Sequence, residues 1–134
     1  MGDRIVNPKG AGPKGHVAVR WMTEDTLEFI QSGHLTRELI EQLHDQLKEQ
    51  TQGRTVAWVL SDLQGVTGLD PIIVQPGAKL LEELKRLGVR KIVLIAPSPM
   101  VRMTATALGL SAGVPMKMFA SRAEAEQFLK NPRG

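Results

Sequence analysis

Asp62, Asp70, Ser98, Arg102 and three histidines are the side chains of this 134-residue sequence whose types and positions could do chemistry. Asp62 follows the apolar run TVAWVL, where a carboxylate could serve as a general base or hold magnesium. A lone acid at the end of a strand more often accepts from a loop amide, and that reading carries the greater weight. His16, His34 and His44 share no ligand spacing, so no metal is expected. The absence of cysteine removes disulfides, thiolate nucleophiles, zinc–cysteine sites and iron–sulfur clusters. Neither a Ser/His/Asp set nor paired carboxylates at recognisable spacing occur, and Gly65, Gly68 and Gly77 are too scattered to cradle a phosphate. Enzyme chemistry has no positive support, and no cofactor is expected. One anion option stays open. The stretch APSPMVR places a helix N-terminus beyond the carboxyl end of a strand, with the Ser98 hydroxyl and Arg102 one turn in. The plainer alternative is that Ser98 caps the helix and Arg102 is solvated.

A different question is raised by TGLDPIIVQPG, residues 67–77, which holds two helix starts. Asp70-Pro71 is a capping carboxylate before the residue best tolerated at the first helical position, and Gln75-Pro76 is a weaker second start. A regular helix from Pro71 would meet Pro76 past its first turn, at a cost of about 3 kcal/mol. The expectation is an irregular turn over 71–75 with the helix beginning near Pro76. Ile72, Ile73 and Val74 then sit on a loop, with at least one of them exposed.

The elements that must position these residues follow from periodicity. Residues 7–15, with five Gly or Pro in nine, are predicted to be part of a mobile leader over 1–15. A single domain over 16–130 and a short tail over 131–134 follow. HVAVRWM and TLEFIQ read as a hairpin joined by Thr23, Glu24 and Asp25. Leu39, Ile40, Leu43 and Leu47 then form a helical stripe, with Thr36 as cap and Leu35 stapled onto Ile40. TVAWVL and KIVLIA are apolar at consecutive positions, as in central strands covered on both faces, so Trp58 is expected to be deeply buried beside Val56, Leu60, Val93 and Ile95. GAKLLEELKRLG is a second helix stopped by Gly88. The segment after Ser98-Pro99 is a third, carrying Val101, Ala105 and Leu108 and stopped by Gly109. VPMKMF is a last strand, on which Met116 and Met118 share a face. Ser121 and Glu124 form a capping box for a final helix whose Ala125, Phe128 and Leu129 face inward. The order ββαβαβαβα implies an α/β fold, a mostly parallel sheet of four to five strands packed with four helices.

Apolar residues make up 42% and charged residues 23%, ordinary globular usage. The net charge of +3 owes much to Arg4, Lys9, Lys14 and Arg20 against Asp3, near one end. Without a basic stripe, interleaved aromatics or any tyrosine, no nucleic-acid partner is expected. No apolar run approaches the roughly 20 residues of a membrane span, and cytoplasmic residence in a bacterial setting is the expectation.

SDLQGVTGLD before an apolar helix, LGVRKIVLIAPSPMVRMTATALGL, and the closing FASRAEAEQFL resemble the STAS domain family, which includes bacterial anti-sigma-factor antagonists and the tails of sulfate transporters. The resemblance spans about 17–129. SGHLT resembles that family's turn before the first helix, and Asp70 its acidic residue. In the phosphorylated branch a serine stands two positions after the acid; here Pro71 and Ile72 follow, so the switch does not carry over, and Thr67 is the nearest hydroxyl. The resemblance implies a non-enzymatic module that binds another protein through Thr67, Asp70, Ile72, Ile73 and Val74. The competing expectation is a carrier of a small anion, nucleotide or lipid at the strand-end edge, with Ser98 and Arg102 as its anion site. A homo-oligomer is compatible with either.

Overall fold

In the hairpin that opens the fold, β1 (His16–Trp21) runs antiparallel to β2 (Thr26–Leu35), with His16 opposite Ser32 and Trp21 opposite Leu27. The turn is held by Thr23 Oγ1 donating to Asp25 Oδ1 at 3.0 Å. The computed structural model describes residues 15–96 and 98–131. The predicted leader, apart from Gly15, and residues 132–134 of the predicted tail lie outside them. After the hairpin the chain alternates: α1 (Arg37–Thr51), β3 (Trp58–Leu69), α2 (Val74–Arg86), β4 (Lys91–Ile95), α3 (Pro99–Ala112), β5 (Met116–Phe119) and α4 (Arg122–Lys130). The five strands lie in the order β1-β2-β3-β4-β5, and every pair after the hairpin is parallel. The α/β expectation and its element order are both observed.

Local chemistry explains most boundaries. Thr36 Oγ1 accepts from Leu39 N at 3.3 Å, and Ser121 Oγ from Glu124 N at 3.3 Å, so both expected caps are formed. The larger core joins α1, α2 and α3 to one face of the sheet through Leu27, Phe29, Leu43, Leu47, Leu80, Leu84, Leu94 and Val101. The other face carries a smaller core in which Leu60, Val93, Ile95 and Ala125 meet Phe119, Phe128 and Leu129 beneath α4. Val59 and Leu60 are both fully buried on opposite faces, as consecutive apolar residues of a central strand require.

Three expectations are corrected. Trp58 is half-buried, not deeply buried. It is the first residue of β3, opposite Thr26 and Lys91, at the end of the sheet where each of these strands begins. Gly109 does not stop α3; the helix continues to Ala112, and Gly113, at φ 73°, ends it. Gly109 serves close approach instead, since a Cβ there would fall 2.7 Å from Met116 Sδ. β2 and β3 also run on to Leu35 and Leu69, well past the apolar runs that announce them. Register shifts between Ile30 and Ser32 and between Gly33 and His34 break the period-two pattern in that extension.

Candidate interaction surface

The two helix starts are reconciled by division. Pro71–Ile73 forms a single 3-10 turn, and α2 begins at Val74. Asp70 anchors the turn: its amide donates to the Leu35 carbonyl at 2.9 Å, and its Oδ1 accepts from Ile72 N at 3.2 Å. Pro76 falls third in α2, where the first-turn amides need no intrahelical acceptor, so its missing N–H costs little. The helix thus starts two residues earlier than expected, because the 3-10 turn absorbs the misfit that a straight helix from Pro71 would carry.

This geometry separates the three aliphatic residues. Ile73 is 5% exposed and packs into the larger core, whereas Ile72 is 57% and Val74 53% exposed. Thr67 is exposed near the end of β3 and Asp70 is half-buried. Ile73 is therefore withdrawn from the expected contact residues: its side chain faces inward, toward Val101 and Leu80.

Ser98 occupies the cap position of α3 without a side-chain cap bond; its carbonyl accepts from Arg102 N at 3.0 Å. The Arg102 side chain is exposed and lines a groove it shares with α4. Behind the turn, a chamber of about 100 Å³ lies between the sheet and α1, α2 and α3, lined almost wholly by apolar side chains. Its polar lining is Thr104, whose hydroxyl donates to the Met100 carbonyl at 3.1 Å, and the buried pair Gln31 and Ser61, with Nε2 donating to Oγ at 2.8 Å.

On the opposite face lies a charge cluster absent from the sequence reading. Glu28, 1% exposed, meets Arg20 Nε at 2.8 Å and Arg122 Nη2 at 2.7 Å. Arg122 also meets Asp62 at 3.0 Å and Glu126 at 2.7 Å. Asp62 Oδ1 accepts from Gln64 N at 3.0 Å, but both residues lie within β3, so Asp62 stands inside the strand beside Arg122 and not at a strand end before a loop. Burial draws the Arg122 pKa down, but hydrogen bonds and charge from Glu126 and Glu28 outweigh it and raise the pKa above the usual arginine value. The only sequence signal for this cluster is an acid set inside the apolar run TLEFIQ.

His44 occupies a small cleft between α1 and α2 with Arg37, Gln75 and Lys79. Its Nε2 is buried and makes no hydrogen bond. Burial and Lys48 hold its pKa below the usual value of 6.5, Lys79 adding slightly, while Glu83 and Asp45 pull the other way. The unfolded imidazole takes a proton more readily, so folding stability is expected to fall as pH drops through about 6.5. Thermal midpoints measured between pH 7.5 and 5 should show that slope, and His44→Gln should flatten it.

The fold is an α/β domain with a mostly parallel five-stranded sheet and helices on both of its faces. The SpoIIAA-like family matches residues 26–130, and the chain belongs to that family. Among solved structures, a protein with a SpoIIAA-like fold from Shewanella loihica PV-4 is 17% identical with a TM-score of 0.66, the match covering 92% of this chain and 98% of that one. The Bacillus cell-fate determinant SpoIIAA in its phosphorylated form is 20% identical with a TM-score of 0.63, covering 85% of this chain and 99% of its own. An anti-sigma factor antagonist from Mycobacterium paratuberculosis is 15% identical, TM-score 0.59, covering 88% and 96%. No curated protein matches the sequence. Among the described residues no helix is long and apolar enough to cross a membrane.

Proposed function

We propose that this chain is a cytoplasmic regulatory domain that binds another protein through Thr67, Asp70, Ile72 and Val74 and catalyses no reaction. The carrying observation is the pair of exposed aliphatic residues, Ile72 and Val74, set on either side of buried Ile73 on a turn fixed by the Asp70 cap. Two β-branched side chains on a rigid turn offer apolar contact at small entropic cost. Membership in a family whose structural neighbours include anti-sigma factor antagonists supports a regulatory role. Partner switching by phosphate at the turn is not part of this reading, because Pro71 and Ile72 carry no hydroxyl.

An Ile72→Asp/Val74→Asp double variant tests it on an affinity column loaded with cell lysate. The variant should keep the wild-type circular dichroism and lose the proteins that wild type captures. Capture of the same set by both would refute the reading, and phosphate mapped to Thr67 in cells would restore a switch.

The apolar chamber favours a second reading, a carrier of a small apolar ligand whose single polar group meets Gln31 and Ser61. Organic extraction of the purified protein followed by mass spectrometry separates the two readings. A stoichiometric lipid-like molecule would favour the carrier.

A further inference from the structure

An open sheet has two edges, and this one treats them differently. At the β1 edge the backbone is satisfied by α1: Gln46 Oε1 accepts from Val19 N at 2.9 Å, and Gln46 Nε2 donates to the Val17 carbonyl at 3.4 Å. At the other edge, Ile92 N donates to Pro115 O at 2.9 Å and Ala96 N to Phe119 O at 3.2 Å, at the two ends of the β4–β5 ladder. Parallel pairing uses alternate residues, so Pro115, Lys117 and Phe119 turn their backbone groups toward β4. Those of Met116, Met118 and Ala120 point out, and among the described residues they have no partner.

This open edge is the floor of a groove of about 860 Å³. Met118, Phe119 and Ala120 form its base, Arg102 of α3 one wall, and Ala123, Gln127 and Phe128 of α4 the other. A strand edge with outward backbone groups is the kind of surface that takes up an extended segment by backbone pairing. Charge selects the strand by wall. Arg102, on the α3 wall, makes no ion pair among the described residues, while the α4 wall carries the groove's one acid, Glu124, with Lys117 Nζ 5.7 Å from the Phe128 ring of that wall to offset it. A second copy pairing edge to edge through β5 would set Arg102 and Lys117 against themselves, a like-charge arrangement that natural edges use to prevent self-association.

We propose that the β5 edge takes up an extended acidic segment of another protein as a sixth strand, its acidic side chains toward Arg102 and its apolar ones toward Phe119 and Phe128. Neither Ile72 nor Val74 lines this groove, and the proposal stands whether or not they bind a partner.

The probe is an acetylated eight-residue peptide alternating valine and glutamate, titrated into the isotope-labelled full chain and followed by amide NMR shifts. Shifts should centre on Met116, Met118 and Ala120. The same peptide methylated on every backbone nitrogen should bind at least about tenfold more weakly, as should a valine–lysine peptide. Met118→Pro removes one outward N–H and leaves the β4 ladder intact, a position where an edge strand tolerates proline, and should weaken binding similarly. Arg102→Ala should weaken it without touching the backbone. Absent shifts at millimolar peptide, shifts centred elsewhere, or equal binding of the methylated peptide would overturn the proposal. So would a wild-type dimer, seen by sedimentation, that Met118→Pro dissolves, since the edge would then belong to a second copy.

Discussion

Arg122→Met is expected to destabilise the fold by about 3 kcal/mol or more in urea unfolding, although Arg122 is an ordinary-looking residue in the first turn of α4. The reason lies in β2. Glu28 is 1% exposed, in register with Leu60 and, one strand further, Val93, both fully buried. A carboxylate in that row is tolerable only while cations stand against it. Arg20 supplies one, but its side chain is 63% exposed, so water screens it. Arg122, 32% exposed, is the better shielded partner, and it alone also ties α4 to β3 through Asp62. Its pKa, raised above the usual arginine value, keeps the guanidinium charged, so it adds no pH dependence near neutrality. Glu28→Met together with Arg122→Met should recover most of the loss, because an apolar pair of similar volume needs no compensating charge. A loss below about 1 kcal/mol for Arg122→Met alone would place it among ordinary surface changes and contradict this account.

That network shows where the sequence stops being readable. Thr36, Ser121 and Asp70 each act on amides two or three residues away, so their roles can be seen in a short window, and all three form the expected bonds. Glu28 and Arg122 are far apart in the chain and meet only because α4 returns to the face opposite α1, α2 and α3, a placement no local pattern encodes. The extension of β2 and β3 was hidden differently. Its register shifts destroy the alternation that marks a strand, and Gly33, Gly65 and Gly68 read as loop. For Trp58, size and an apolar neighbourhood suggest depth, while its position at the start of β3 decides against it. The candidate contact surface was partly legible: the two helix starts announced an irregular turn, but which aliphatic side chain points inward depends on the 3-10 geometry.

That geometry makes the second large effect specific to one residue of three. Ile73→Asp is expected to cost about 4 kcal/mol or more, most of the stability of a domain at the lower end of the usual range of about 5–15 kcal/mol. Ile73 is 5% exposed and lines the chamber between the sheet and the helices. None of the other residues lining that chamber is charged; of its polar ones, Gln31 is already bonded to Ser61 at 2.8 Å and Thr104 to the Met100 carbonyl at 3.1 Å. An aspartate there would have to stay charged without a counter-ion, take up a proton, or pull the 3-10 turn out of the core. Ile73→Ala, which only opens a void, should cost about 2–4 kcal/mol. Ile72→Asp, one residue away on the same turn, should change stability by no more than about 0.5 kcal/mol, because its side chain already stands in water. Chemical denaturation of the three variants beside wild type checks the ordering. If Ile72→Asp proved as damaging as Ile73→Asp, the turn would not present Ile72 to solvent, and the apolar surface assigned to partner binding would be lost with it.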